Sequence, residues 1–119
     1  MEKVILEIGV LSAGERSGAV RSVRKVSFTG EPVTGYVTVD RDEGNTRGEE
    51  ERLYRLPDGR YRLYREAWSR WVGETTTARL SEPMTEADLH KSHEWAPALA
   101  TLEEAGLLPT VDLDARGEP

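Results

Sequence analysis

The chain has 119 residues, of which 37% are hydrophobic and 32% charged, with a net charge of −6 and no Cys. That size suits one domain with a modest core under a heavily charged surface. The lack of Cys excludes disulfides, thiolate metal sites and cysteine nucleophiles, and it fits a cytoplasmic location.

Met1 to Val10 reads MEKVILEIGV. Its apolar run is too short for a signal peptide or a membrane span, so no membrane partner is expected. Val4, Leu6 and Ile8 alternate with Lys3, Ile5 and Glu7, which predicts a strand over 3–10. Ser12 to Gly18 holds two Gly and two Ser and reads as a loop. Val20 to Phe28 alternates again, Thr29-Gly30-Glu31-Pro32 punctuates it, and Val33 to Val39 resumes the alternation. That pattern predicts a hairpin between these two strands. Asp40 to Glu51 has no large apolar residue and reads as a long mobile loop, of the kind that often carries function.

The strongest local signal is Pro57-Asp58-Gly59 between Arg52–Leu56 and Arg60–Trp68. Pro presets φ, Asp bonds the nearby backbone, and Gly accepts positive φ in a bulged three-residue turn. If Leu56 pairs with Arg60, the register follows by counting. Tyr54 faces Arg62 and Arg52 faces Tyr64 on one side of the ribbon. Leu53 meets Leu63, Arg55 meets Tyr61, and Glu51 meets Arg65 on the other. Neither face is wholly apolar, so a cover is required.

A turn around Gly73 and a strand over 75–80 follow. Met84 to Gly106 reads as helical. Thr85 is the N-cap, Asp88 completes a capping box, and Met84 can staple onto Leu89. Pro97 breaks the run into a kinked helix or a helix pair, and Gly106 ends it. Leu89, Ala96, Leu99, Ala100 and Leu102 form a partial apolar stripe. Thr110 to Leu113 suggests a last short strand, and residues 115–119 a flexible tail. The fold class expected is α+β, with a twisted antiparallel sheet of about five to seven strands packed by this helical segment. A single domain spans 1–114.

Charge is distributed unevenly. Arg16, Arg21, Arg24 and Lys25 against Glu15 give +3 over 15–25, and six Arg against Asp58 and Glu66 give +4 over 52–71. From Glu74 onward ten acids oppose Arg79, Lys91 and Arg116, a balance of −7. The acidic end can face the basic sheet within the chain or in a second copy, and a net-acidic chain is a poor nucleic-acid binder on average.

Candidate chemistry is sparse. His90 and His93 stand with Glu86 and Glu94 at helical spacings that could hold a metal, but a solvated polar face explains them as well, and no metal or cofactor is expected. The scattered Ser residues form no nucleophile elbow, and the Gly-containing stretch over 9–18 lacks the Lys of a phosphate loop. An enzyme is not expected. One pattern points to binding: Arg52, Tyr54, Arg60, Arg62, Tyr64, Arg65, Trp68 and Trp71 interleave cations with rings. Single-stranded nucleic acid is held by such a mixture. The same residues can equally stabilise the sheet itself, with guanidinium groups stacked on cross-strand Tyr.

Arg24-Lys25-Val26-Ser27-Phe28-Thr29-Gly30, then Arg52-Leu53-Tyr54-Arg55 and Asp58-Gly59-Arg60-Tyr61 with a Trp-rich turn, resembles an actinobacterial family named for a terminal E-x-L-D-I motif. In that family a helix precedes the motif. Here Val111-Asp112-Leu113-Asp114-Ala115 keeps the Leu-Asp pair. The family has no established activity, so the resemblance implies the order of elements and nothing about catalysis.

Three functions are therefore expected, in this order. The first is a non-catalytic binding or assembly module, a homodimer acting through the Arg/Tyr/Trp hairpin. The second is a nucleic-acid-binding accessory protein that uses the same hairpin. The third is a small-ligand pocket between sheet and helix, lined by Trp68, Trp71 and Trp95.

Overall fold

The computed structural model describes residues 1–13, 20–71 and 74–114. Among the described residues are six antiparallel strands: β1 (Glu2–Ala13), β2 (Ser22–Pro32), β3 (Val37–Arg41), β4 (Arg47–Arg55), β5 (Tyr61–Ser69) and β6 (Thr75–Leu80). Two short helices follow, α1 (Glu86–Leu89) and α2 (Leu99–Ala105). The sheet order is β2-β1-β6-β5-β4-β3, and β2 also pairs with β4. Five strands thus close into a ring, with β3 outside it. Ser12 and Ala13, expected to begin a loop, extend β1 instead, and the rest of that loop, the turn at Gly73 and the tail 115–119 lie outside the described residues.

The hairpin at Pro57-Asp58-Gly59 has the register that counting predicts. Leu56 N–H donates to the Arg60 carbonyl at 2.8 Å, Gly59 takes φ 87°, and Asp58 Oδ1 accepts the Arg60 N–H at 3.0 Å. Arg52 then pairs with Tyr64, Tyr54 with Arg62, Leu53 with Leu63, and Glu51 with Arg65.

The two faces of this hairpin meet two cores. Leu53, Tyr61 and Leu63 pack with Met84, Leu89 and Leu102 from the helical segment. Tyr54 and Tyr64 pack with Ile8 and Ala78 inside the ring, against Val4, Leu6, Val26 and Phe28. The ribbon is covered on both sides by its own chain.

Other expectations about the strands are corrected. Residues 40–51 are not a long loop: β3 runs to Arg41, β4 begins at Arg47, and a tight turn joins them. Asp42 builds that turn, its Oδ1 accepting the N–H groups of Thr46 (2.7 Å) and Arg47 (2.9 Å). The expected hairpin between β2 and β3 does not form. Strand β2 continues through Thr29-Gly30 and meets β4 at Arg55 and Tyr54. Gly30 permits that approach, because a Cβ there would lie 2.9 Å from the Arg55 carbonyl oxygen. Thr110 to Leu113 is not a strand.

Helix α1 has its capping box, with the Asp88 N–H donating to Thr85 Oγ1 and the Thr85 N–H to Asp88 Oδ2. The helical reading of Met84 to Gly106 is corrected in its middle: α1 already ends at Leu89, and residues 90–98, Pro97 among them, are not helical. Helix α2 ends at Gly106 in the left-handed conformation. Leu102 and Thr101 face the sheet, whereas Leu99, expected in the apolar stripe, is 71% exposed.

Candidate functional site

The eight residues singled out by their interleaved pattern do not form one surface. Tyr54 and Tyr64 are buried inside the ring. The Arg52 guanidinium stacks over Tyr36 at 4.7 Å and over Tyr54 at 5.6 Å. Arg62 lies over Phe28 at 5.5 Å and donates to the Ser81 carbonyl at 2.9 Å. Arg65 points to the opposite face, over Trp95 at 5.2 Å. Arg60 sits at the turn, paired with Asp58 at 2.8 Å. A strand exposes alternate side chains to opposite faces, so a run of Arg and rings is split by geometry. The guanidinium groups of Arg52, Arg62 and Arg65 lie over rings of the chain itself.

Trp68 and Trp71 lie at the other end of the hairpin, and Trp95 does not join them. It is held between Arg65 and Arg79 beside the helices. The expected three-Trp pocket is therefore not assembled.

The cleft that the structure does form is at the Trp68 end. Its volume is about 630 Å³, and it is lined by Asp40 and Asp42, by Arg47 to Glu49 of β4, by Ala67 to Ser69 of β5, and by Glu74 and Thr75. Register explains its place. Glu49 pairs with Ala67, one step of two residues beyond Glu51 and Arg65, so these pairs share a face. The helical segment covers that face as far as Glu51 and Arg65, which bond Ala98, Thr101, Glu94 and Ala96. The cleft opens where the cover stops.

Two of its carboxylates are fixed. Asp42 is held below the usual carboxylate range first by the Thr46 hydroxyl and then by the Arg47 N–H. Glu74 is likewise lowered, first by the Ser69 hydroxyl at 2.6 Å and then by Arg47, whose Nε and Nη2 each lie 2.8 Å from its oxygens. The network extends to Trp71. Its indole N–H donates to Thr46 Oγ1 at 2.8 Å, and Arg47 lies 5.3 Å from its ring centroid. The other two carboxylates, Asp40 and Glu49, are direct partners across β3 and β4. Among the described residues neither is in an ion pair. Like charges placed opposite each other repel, so this pair is set against stability. Trp68 is seated by its partner Gly48, where a Cβ would lie 2.7 Å from the indole.

The histidines have structural work. His93 Nδ1 accepts the Trp95 N–H at 3.1 Å, which leaves the proton on Nε2 to reach the Asp88 carbonyl at 2.8 Å. His90 Nε2 contacts the Leu107 carbonyl at 2.7 Å. Among the described residues no three His, Asp or Glu converge as metal ligands, and no helix is long and apolar enough to cross a membrane.

Sequence reasoning missed Asp40, Gly48 and Glu49, although the signal was available. The count back from Pro57 that pairs Glu51 with Arg65 also sets Glu49 beside Ala67 and Gly48 beside Trp68. No family model, curated protein or solved structure matches the chain.

Proposed function

We propose that this chain is a non-catalytic binding module for a small molecule that carries positive charge, received in the cleft at the Trp68 end of β4 and β5. One observation carries the reading. Asp40 and Glu49 are partners across β3 and β4 at the wall of a cleft of about 630 Å³, and among the described residues neither is in an ion pair. That volume falls within the range typical of small-ligand sites. Four lining carboxylates oppose one guanidinium, which is already engaged by Glu74. A cationic group would relieve the repulsion between Asp40 and Glu49, whereas a phosphate would add to it.

Ser69 bonds Glu74, Ser81 accepts the Leu63 N–H, and both histidine rings bond backbone carbonyls, which supports binding over catalysis. The nucleic-acid reading has less support, because the guanidiniums of Arg52, Arg62, Arg65 and Arg70 stack on Tyr, Phe and Trp rings of the same chain.

Tryptophan fluorescence tests the proposal. Titration with spermidine, agmatine and alkylamines should give a saturable change, and single-stranded oligonucleotides at low salt should give none. An oligonucleotide response with no amine response would overturn it.

A further inference from the structure

Strand β1 uses only one of its edges along its first half. Glu2 to Val10 pairs with β2, but the ladder to β6 begins only at Gly9. Gly9 has φ 108°, and the β1–β6 register shifts between Val10 and Ser12, so the strand turns away from β6 there. Among the described residues no other segment gives Glu2–Ile8 a backbone hydrogen bond.

Proteins usually blunt such an edge with Pro, a bulge or an inward-pointing charge. Glu2–Ile8 reads EKVILEI and has no Pro. Its register with β2 is unbroken, and its inner face carries Val4, Leu6 and Ile8. On the outer face stand Lys3, Ile5 and Glu7; Ile5 is 65% exposed opposite Ser27, and Glu7, opposite Lys25, also lies 3.6 Å from Arg21 of its own chain in an exposed ion pair.

We propose that a second copy of this chain covers the edge, with the two β1 strands pairing antiparallel about a two-fold axis at Ile5. The sequence is self-complementary in that register. Lys3 of each copy lies opposite Glu7 of the other, Val4 lies opposite Leu6, and Ile5 meets Ile5. Both Lys–Glu pairs are attractive, and the exposed Ile5 side chains cover each other. A slip that keeps the faces matched sets Ile5 opposite Lys3 or Glu7 and loses both ion pairs. The interface is isologous, so it closes at two copies instead of growing into a fibre. It is separate from the Trp68 cleft.

Charge reversal tests the register. The unmodified chain should sediment as a dimer that dissociates on dilution. Lys3→Glu or Glu7→Lys alone should give monomer with unchanged circular dichroism. The double variant Lys3→Glu/Glu7→Lys should restore the dimer. Because the chain lacks Cys, Ile5→Cys should also cross-link into a disulfide dimer on mild oxidation, whereas Ser27→Cys should not. Opposed Cβ atoms in an antiparallel pair lie roughly 4.5–5.5 Å apart, close to what a disulfide needs. A monomer at every concentration, or a dimer that survives either single reversal, would overturn the proposal.

Discussion

Glu51 and Arg65, partners across β4 and β5, fasten the helical segment to the sheet with a single ion pair. Glu51 Oε2 accepts from Arg65 Nη2 at 2.8 Å and Nε at 3.1 Å. Its Oε1 accepts the Ala98 N–H at 3.0 Å and the Thr101 hydroxyl at 2.8 Å. Ala98 is the N-cap of α2 and makes no side-chain cap bond, and Glu51 from the sheet holds the start of the helix through the Ala98 N–H and the Thr101 hydroxyl. Arg65 meanwhile bonds the Glu94 and Ala96 carbonyls.

Breaking this pair should be costly. Glu51 is 2% exposed, so Glu51→Ala leaves a guanidinium and a hydroxyl without their acceptor. A loss of about 3–5 kcal/mol is expected in urea unfolding, as for other buried pairs broken on one side. The double variant Glu51→Met/Arg65→Leu should lose less than the two single changes added together. Equal or additive losses would show that the pair does not act as a unit.

Closure of the ring depends on Gly30. Gly30→Val should push β2 away from the Arg55 carbonyl at a cost of about 1–3 kcal/mol. Hydrogen exchange should report it first at the Val33 N–H, which donates to the Leu53 carbonyl at 2.9 Å. Unchanged protection there would count against the closed ring.

Stability should fall in acid. Asp42 and Glu74 have lowered pKa values in the folded chain, from ordinary values of 3.8 and 4.5. Their contribution is therefore full above those ordinary values and disappears as pH drops through the folded ones. Thermal unfolding from pH 7 downward should show the loss, and it should be smaller in Asp42→Asn and Glu74→Gln.

The alkaline side has the opposite sign. Burial first, and then the neighbouring Glu66, raises the Tyr64 phenol; burial likewise raises Tyr54. A raised acid contributes stability below its unfolded value near 10 and loses it as pH climbs above that. Tyrosinate absorbance should show these two rings ionising only with unfolding. Their titration in the folded chain would contradict the buried placement.

Much of the sheet was legible because local chemistry dictated it. Pro57-Asp58-Gly59 fixed a turn, the turn fixed a register, and Thr85 with Asp88 fixed a helix start. The long-range pairing was not legible. Strand β2 ends against β4, and what allows this is the missing side chain of Gly30 meeting a carbonyl that is distant in sequence. The acidic run before Arg52 looked like a loop because charge usually signals solvent, yet Glu51 is buried against Arg65. Counting by twos already sends Arg52 and Arg65 to opposite faces; what the sequence does not show is that Tyr36, Phe28 and Trp95 lie against the guanidiniums of Arg52, Arg62 and Arg65.

Calorimetric titration of spermidine into the intact chain and into Asp40→Asn/Glu49→Gln is the most direct test of the cleft as a cation-binding site. Saturable binding that weakens by about tenfold or more in the variant, equivalent to at least about 1.4 kcal/mol, is the expected result. Absence of heat with the intact chain, or equal affinity for both proteins, would contradict it.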